Sequence, residues 1–292
     1  MYRIKIPASS ANLGPGFDCL GIALDLYNTF DVEIAETNLL ENTEERFNNP
    51  DNLFLKAWRL GCDAIVQHDS VHVIFHTDIP AGRGLGTSAA LTAGGLYAAS
   101  LLHDHALSKE DIFHLCVKAE GHPDNAAAAV YGGLCLCMDD GHTVQARQLA
   151  CAEDWLFTVF IPDFEVHTED ARKVLPEHYD RTDVIWNSVH LHAMIDALES
   201  GDLKQLHWAA HDRVHEPYRS RLIPDYDFLK KTVQQDTGGV FLISGSGSTC
   251  LLISRQPLSE AVKETIRRNT NAQWTIRQLQ KSAGPVIERI TL

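Results

Sequence analysis

The segment DIPAGRGLGTSAALTAGGLYAAS, from Asp78 to Ser100, is the most informative stretch of this 292-residue chain. It follows an alternating run from Val71 to Phe75, which predicts a strand, and it ends in small and aliphatic residues with high helix propensity. Between the two, Gly82, Gly84 and Gly86 allow a tight turn. The predicted order is strand, glycine loop and helix, which brings free N–H groups and the positive end of a helix dipole toward a phosphate.

Two familiar phosphate-binding motifs do not match this loop. It lacks the GK[ST] ending of a Walker A loop, and the acidic residue that follows a dinucleotide fingerprint is poorly matched, because Tyr97 to Leu107 offers only Asp104. The remaining structural interpretation is a glycine-rich turn with an ordinary helix cap at Thr87 or Ser88. From this segment alone, an anion site and a simple turn are equally supported.

The composition excludes several classes of protein. Hydrophobic residues make up 45% and charged residues 22%, as in soluble globular proteins. No transmembrane span or signal peptide is recognisable, so we predict a cytoplasmic protein. The formal net charge of −14 would repel nucleic acid and anionic membranes. The seven cysteines lack CxxC spacing and are interpreted mainly as buried small hydrophobes.

Strands and helices are intermixed in both halves of the chain. Alternating residues predict strands at Tyr2 to Ile6 and Phe30 to Ile34, and helical spacing predicts helices from Phe54 to Ile65 and from Ile112 to Ala119. Ser108 and Asp111 resemble a capping box for the second of these helices.

The second half shows the same mixture of elements. Trp155 to Pro162 predicts a buried strand, a helix from Leu191 ends before Gly201, and VFLIS and TCLLI predict two strands around a glycine turn. The polar stretch from Ala146 to Asp154 separates the halves, so we place a boundary there, giving domains 1–150 and 151–292.

The motif EGHPDN crowds Glu120, His122, Asp124 and Asn125 together after a predicted helix. Carboxylates such as Glu120 or Asp124 are the hard oxygen ligands that Mg²⁺ requires. A lone histidine is more often structural than catalytic. In the alternative interpretation, Asp124 or Asn125 is the N-cap of the following alanine-rich helix.

Two glycine turns carry polar side chains suited to a small ligand. Asn12 and Asp18 flank Gly14 to Gly16 after the first strand; this is a tight turn, but loops that leave strand ends also hold small polar substrates. The motif ISGSGST, from Ile243 to Thr249, permits close backbone approach between two strands.

Arginines in the second half could bind an anion. Thr168 and Arg172 are four residues apart and would share one face of a helix. Arg219 and Arg221 lie beside Pro217, and a fixed guanidinium can bind a carboxylate through two parallel hydrogen bonds. For either arginine alone, a surface salt bridge is the simpler interpretation.

Three glycine-bearing segments follow one another along the chain: SSANLGPGFD at 9–18, PAGRGLGTSAA at 80–90 and SGSGST at 244–249. Together they resemble the GHMP kinases over nearly the whole chain. Four more specific motifs are similar to the homoserine kinase family: SANLGPGFD, EGHPDN, TEDARKVLP and EPYRSRLIP. The resemblance implies an α+β GHMP kinase fold, with an N-terminal domain like ribosomal protein S5 domain 2 and a ferredoxin-like C-terminal domain.

The resemblance also implies the site residues. It assigns ATP binding to Pro80, Gly82, Arg83, Gly84, Leu85, Gly86, Thr87, Ser88, Ala89 and Ala90. It assigns Mg²⁺ to Glu120 and Ser88. It assigns substrate binding to Asn12, Asp18, His122, Asp124, Asn125, Thr168, Arg172, Arg219 and Gly247. The residues closest to catalysis would be Asn125, Arg172 and Ser88.

The implied reaction is ATP-dependent phosphorylation of the homoserine hydroxyl, on the route to threonine. Asp18 would pair with the substrate ammonium group, and Arg219 or Arg172 with its carboxylate. Because Asn125 stands where some relatives have an aspartate, we expect no obligatory general base; positioning and charge stabilisation would supply most of the catalysis.

Some residues depart from the family pattern. Thr87 replaces a serine, Ser248 replaces a common proline, and the alanine-rich helix lacks a proline often found there. Two other hypotheses stay open: a related GHMP kinase with a different hydroxylated substrate, and a nucleotide-binding relative without turnover. The resemblance is compatible with a homodimer, which nothing in the residues requires.

Overall fold

A computed structural model describes residues 1–291. The strands are β1 Tyr2–Asn12, β2 Gly16–Ala35, β3 Leu39–Glu41, β4 Ser70–Thr77, β5 Leu134–Asp139, β6 Val144–Leu149, β7 Leu156–Pro162, β8 Val240–Ile243, β9 Cys250–Ser254, β10 Trp274–Leu279 and β11 Val286–Arg289. The helices are α1 Leu53–Ala64, α2 Thr87–Leu102, α3 Lys109–Glu120, α4 Pro123–Tyr131, α5 Thr168–Lys173, α6 Arg181–Ser200, α7 Leu203–Ala209, α8 Glu216–Arg219, α9 Tyr226–Thr237 and α10 Glu260–Asn269. Two 3₁₀ turns span Glu45–Phe47 and Ser220–Leu222.

The first sheet is built around the long strand β2. Its seven strands include the path β11-β1-β2-β4-β3, while β5 pairs with β2 and β6 with β5. Apolar residues that alternate along the strands pack beneath α1 and α2. Phe30, Phe54 and Phe75 meet there, with ring centroids 5.0 to 5.6 Å apart. Burying these rings fixes α2, and therefore the glycine loop before it, against the sheet.

The second sheet has four antiparallel strands in the order β10-β7-β9-β8. Along the chain a strand, a helical region, two strands, a helix and a strand follow one another, which is the ferredoxin-like arrangement. A second hydrophobic cluster packs this sheet against α9 and α10, and it includes Phe160, Phe241 and Leu229. The α+β fold class and the two-part architecture were thus correctly predicted.

Most predicted elements are present, and their differences have local causes. The helix predicted from Leu191 begins ten residues earlier, at Arg181. In its first turns the apolar residues Val184 and Ile185 are exposed, so burial does not mark this part of the helix. The capping box of Ser108 and Asp111 is present.

Both alternative cap assignments are wrong. The N-cap of α2 is Gly86, in a left-handed conformation, and the Thr87 hydroxyl donates instead to Pro80 O at 2.7 Å. The N-cap of α4 is His122, because Pro123 occupies the first helical position. Asp124 and Asn125 follow Pro123 and lie inside the helix. These polar side chains are therefore not explained by helix capping.

The division at residue 150 stays a prediction. β7 to β10 do belong to the second sheet, but β11 returns to the first and pairs with β1. Six of the seven cysteines are buried, and Cys19 is partly exposed. No helix in residues 1–291 is long and apolar enough to cross a membrane.

Candidate active site

A cavity of about 200 Å³, here called the central cavity, opens where the two sheets meet. Its wall combines the β1–β2 turn, the glycine loop, the α3–α4 junction, α5, α8 and the β8–β9 turn. The lining residues are Ala11, Asn12, Asp18, Gly82, Arg83, Gly84, Gly86, Thr87, Ser88, Ala89, Glu120, His122, Asp124, Asn125, Val166, His167, Thr168, Arg172, Arg219, Gly245 and Ser246.

The glycine loop is held by its carbonyl groups. Three consecutive carbonyl oxygens accept hydrogen bonds from other segments: Arg83 from Thr249 N at 3.0 Å, Gly84 from Ser244 Oγ at 2.7 Å and Leu85 from Ser9 N at 3.0 Å. Across the described residues, the N–H groups of 82–86 find no acceptor. Unpaired donors beside the start of a helix are suited to bind an anion.

One glycine of the loop is required by close packing as well as by conformation. Gly84 has a φ of +74°, and a methyl group there would lie 2.6 Å from Gly247 O and closer still to Ser244 O. Backbone atoms cannot move aside as a side chain can. The glycine loop and the β8–β9 turn are therefore in direct contact at this point.

Glu120 ends α3 and faces the start of α2. Its Oε1 accepts a hydrogen bond from Ser88 Oγ at 2.8 Å and another from Thr92 Oγ1 at 2.7 Å. Ser88 and Thr92 are one helical turn apart on α2, so both hydroxyls reach the same carboxylate. The carboxylate is thereby fixed in the wall of the central cavity, and its second oxygen has no hydrogen-bond partner among residues 1–291.

This arrangement fits a magnesium ion held mainly by phosphate. Mg²⁺ commonly uses one or two protein carboxylates and takes its other ligands from phosphates and water. Glu120 and Ser88 offer such oxygen donors, and no cluster of three or more His, Cys, Asp or Glu that could hold a metal occurs in residues 1–291. The donors thus suit a metal that arrives with a nucleotide.

The α3–α4 junction presents a histidine–carboxylate pair to the cavity. His122 Nδ1 lies 3.0 Å from Asp124 Oδ1, and this hydrogen bond raises the pKa of His122. Asp124 is buried and also accepts from Asn125 N at 2.8 Å. The Asn125 side chain is hydrogen-bonded to Ser9 Oγ at 2.8 Å, which joins the junction to β1.

An ion pair crosses the cavity between its two halves. Arg172 Nη1 and Nη2, on α5, donate to the two oxygens of Asp18 at 2.9 and 3.0 Å. These hydrogen bonds raise the pKa of Arg172. The side chains remain 41% and 35% exposed, so solvent screens the pair and a ligand could separate it.

The backbone at the β1–β2 turn and the strand ends beside it is unusual. Asn12, Leu13 and Asp18 have positive φ angles of 72°, 45° and 55°. Each such residue costs on the order of 1–3 kcal/mol and persists only where its surroundings hold it. The Asn12 side chain does part of this, accepting from Asp18 N at 3.0 Å and donating to Gly245 O at 2.7 Å.

Arg219 is buried without a carboxylate partner. It is 2% exposed, Nε donates to Ala171 O at 3.0 Å and Nη1 to Gly245 O at 3.1 Å. Burial lowers its pKa, but an arginine keeps its charge at neutral pH. No acidic group among residues 1–291 lies within 4.0 Å to form a salt bridge with it, so the guanidinium is available to an anionic ligand.

A larger cavity of about 790 Å³ lies beside the glycine loop. We call it the asparagine-lined cavity, because its polar wall includes Asn28, Asn42, Asn49 and Asn52. Phe47, Leu53, Phe75, Ile79 and Leu91 form its apolar wall. Gly82, Thr87 and Ser88 line both cavities, so a single ligand could extend from one to the other.

Most of the predicted site residues line the central cavity. Pro80 lines only the asparagine-lined cavity, Leu85 and Ala90 are buried in the core, Gly247 is buried in the β8–β9 turn, and Arg221 is exposed. The sequence prediction missed Ala11, Val166, His167, Gly245 and Ser246, which adjoin its motifs. It also missed Ser9 and Thr92, although Thr92 stands four residues after Ser88 on a predicted helix.

Known proteins match along nearly the whole chain. The model of the GHMP kinases N terminal domain matches residues 52–133, and that of GHMP kinases C terminal matches 194–272. A protein named homoserine kinase from Clostridium botulinum type A is 37% identical over 286 residues, covering 96% of each chain.

Solved structures share the fold. A homoserine kinase from Cytophaga hutchinsonii superposes with a TM-score of 0.84 at 23% identity, over 98% of this chain and 96% of that one. A mevalonate kinase from L. major, solved with R-mevalonate, superposes with a TM-score of 0.72 at 16% identity over 96% of both chains. The fold therefore accommodates different acceptors, and the side chains must distinguish them.

We predict that Gly84→Ala destabilises the protein and abolishes nucleotide binding, because the new methyl group meets two backbone carbonyls. Gly141→Ala is the matched control: Gly141 has a φ of +80°, but nothing lies within 4 Å of an added methyl group. In urea unfolding, Gly84→Ala should lose at least about 2 kcal/mol more than the control. Equal losses would show that the contact carries no energetic weight.

We also predict a pH-dependent stability from Glu216. Its burial raises the pKa from 4.5 to about 7, while Oε1 accepts from Ile243 N at 2.7 Å. Because the folded state binds this proton more tightly, the group's contribution is favourable at low pH and is lost as pH rises from about 4.5 to 7.

Glu216→Gln keeps an acceptor for Ile243 N and removes the titration. The stability of the variant relative to the wild type should therefore rise across this pH window, by roughly 3 kcal/mol in full. Urea unfolding of both proteins at pH 5 and pH 8 measures the difference. A difference that is the same at both pH values would contradict a raised pKa.

Proposed function

This chain belongs to the GHMP kinase family, and we propose that it transfers the γ-phosphoryl group of ATP to the side-chain hydroxyl of L-homoserine. The residues of the central cavity support this acceptor and these site roles. The relatives named homoserine kinase support the same acceptor. A homodimer and a cytoplasmic location stay predictions.

The charges of the central cavity carry this proposal. Asp18 and Arg172 form an exposed ion pair, and Arg219 is a buried cation without a carboxylate partner in the described chain. A zwitterionic amino acid can enter between the first two groups and replace one ion pair by two, ammonium to Asp18 and carboxylate to Arg172. Its carboxylate can also meet Arg219, which removes the cost of that buried charge.

An acceptor without an ammonium group fits this arrangement less well. A hydroxy acid such as mevalonate could bind the arginines through its carboxylate, but it would take Arg172 from Asp18 and leave that carboxylate unpaired. A sugar would supply neither charge. Leaving Asp18 without a cationic partner costs free energy, and this cost weakens the binding of such acceptors relative to an amino acid.

The nucleotide would occupy both cavities. The free N–H groups of residues 82–86 and the start of α2 suit its phosphates, and the asparagine-lined cavity has apolar and amide groups suited to a purine nucleoside. Glu120 and Ser88 would hold Mg²⁺ against the phosphates. When bound, Mg²⁺ supplies charge neutralisation at the phosphate oxygens.

The chain's own residues then act mainly by positioning. The loop N–H groups fix the phosphates, Asp18 and the two arginines fix the amino-acid end of the acceptor, and the hydroxyl is left to face the γ-phosphate. Asn125 offers an amide rather than a carboxylate, so no general base is assigned to it. Phosphoryl transfer through a loose transition state requires little proton removal before attack.

Two other hypotheses remain testable in the same assay. A related GHMP kinase with another hydroxylated substrate would use the same glycine loop, and a nucleotide-binding protein without turnover would keep the loop alone. The contact of Glu120 with Ser88 and Thr92 favours an enzyme over the second of these.

We predict ADP release that requires ATP, Mg²⁺ and L-homoserine together. A coupled assay should compare homoserine with threonine, mevalonate, shikimate and galactose, and homoserine should have the highest kcat/KM. Turnover with another acceptor and none with homoserine would refute the acceptor assignment. Binding of ATP with no turnover of any acceptor would support the non-catalytic hypothesis.

We predict that Asp18→Asn raises the KM for homoserine by roughly 10- to 100-fold, because a charge-assisted hydrogen bond contributes about 1.5–3 kcal/mol. The KM for ATP should change little. Asp170→Asn is the matched control, since Asp170 forms an exposed ion pair with Lys173 on α5. An unchanged KM for homoserine in Asp18→Asn would remove Asp18 from the acceptor site.

A further inference from the structure

The strained β1–β2 turn is held from the opposite half of the molecule by a buried histidine. His215 Nε2 donates to Gly14 O at 2.8 Å, and the side chain is completely buried. A second, longer contact joins Asn187 Nδ2 to Pro15 O at 3.4 Å. Neither the sequence motifs nor the mechanism above assigns His215 a role.

The same histidine is fixed relative to Arg219. It is the N-cap residue of α8, whose last residue is Arg219, and Arg219 N donates to His215 O at 3.0 Å. The buried Asp212 carboxylate accepts from His215 N at 2.7 Å and holds the residue before the helix. The position of His215 therefore moves with that of the Arg219 backbone.

An aromatic ring connects these two contacts. Phe17, directly before Asp18, stacks on the His215 ring with centroids 5.4 Å apart, and the Arg219 guanidinium lies 5.0 Å from the Phe17 centroid. His215 thus touches the turn through its ring face as well as through Nε2. His215 therefore contacts the segment before Asp18 and also precedes the helix that ends at Arg219.

The ring acts as a fixed donor and not as a titrating group. Nε2 must carry the proton, because Gly14 O can only accept. Nδ1 finds no partner in the described part of the chain. Burial lowers the pKa of His215, although Asp212 Oδ2 lies 3.7 Å from Nε2 and favours the charged form. The ring is therefore neutral at neutral pH.

We propose that His215 is a positioning residue that sets the separation between Asp18 and Arg219, the two groups that would bind the ammonium and carboxylate of the acceptor. This inference rests on the proposed function. Without the hydrogen bond to Gly14, the strained turn has one fewer restraint, and the separation between Asp18 and Arg219 then depends on Gly245 O, which accepts from both Asn12 Nδ2 and Arg219 Nη1. The consequence is weaker binding of the amino acid, while the phosphate site is unaffected.

The test compares two substitutions at this position by steady-state kinetics. His215→Phe keeps an aromatic ring against Phe17 and removes the donor, and it should raise the KM for homoserine about tenfold, the upper end for one hydrogen bond, with the KM for ATP unchanged. His215→Gln places an amide N–H near the former Nε2 and should recover most of this loss. Should His215→Phe not fold, His215→Leu replaces it as the variant without a donor.

A matched control separates the proposal from a general effect on folding. His207 Nε2 also contacts a glycine carbonyl, Gly238 O, at 2.6 Å, but on the exposed face of α7 and away from the cavity. His207→Phe should leave the KM for homoserine unchanged. Thermal unfolding and calorimetric binding of a non-hydrolysable ATP analogue report on folding in every variant.

The outcomes distinguish this inference from the proposed function. Wild-type protein that does not phosphorylate homoserine would refute the function. Active wild-type protein with an unchanged homoserine KM in the variant without a donor would overturn the inference alone. A parallel rise in the KM for homoserine and for ATP, or no recovery with His215→Gln, would also overturn it, because a purely structural residue would behave in that way.

Discussion

The site depends on one constraint, the contact of three glycine-bearing segments through the backbone carbonyls of the glycine loop. Ser9 from the first segment, and Ser244 and Thr249 from the third, donate to three successive carbonyls of the second. The carbonyls are used in this way, while the N–H groups of residues 82–86 have no acceptor in the described part of the chain. The contacts of Ser244 and Thr249 join the glycine loop to the second sheet, so this arrangement of the loop requires both sheets. Segments more than 150 residues apart in sequence therefore behave as one loop cluster.

The charges are organised on the same principle of local compensation. The chain carries a net charge of −14, yet two arginines lie beside Asp18 in the wall of the central cavity. The overall field would repel an anion, so an anion that enters the cavity needs such fixed local charges and donors. Asp18 and Arg172 neutralise each other in the central cavity. A zwitterion can separate them and still give each of the two side chains a partner of opposite charge.

The sequence was sufficient to predict the secondary-structure elements and polar groups that lie within its motifs. The strand, loop and helix around Gly84 follow from local propensity, and Asp18, Glu120, Arg172 and Arg219 were placed in one site through the family resemblance. Contacts between distant residues could not be predicted in this way: the bond of His215 to Gly14 spans 201 positions, and that of Ser9 to Asn125 spans 116. The return of β11 to the first sheet and the early start of α6 also depend on tertiary packing, which local patterns do not encode.

The most direct test of the central claim is a crystal structure with L-homoserine and a non-hydrolysable ATP analogue. This assignment of the acceptor site predicts that Asp18 and Arg172 have separated, with the substrate ammonium against Asp18 and its carboxylate against Arg172 and Arg219. The hydroxyl should face the terminal phosphate, and the loop N–H groups of residues 82–86 should contact the phosphates. An intact Asp18–Arg172 pair with the amino acid bound elsewhere would contradict it.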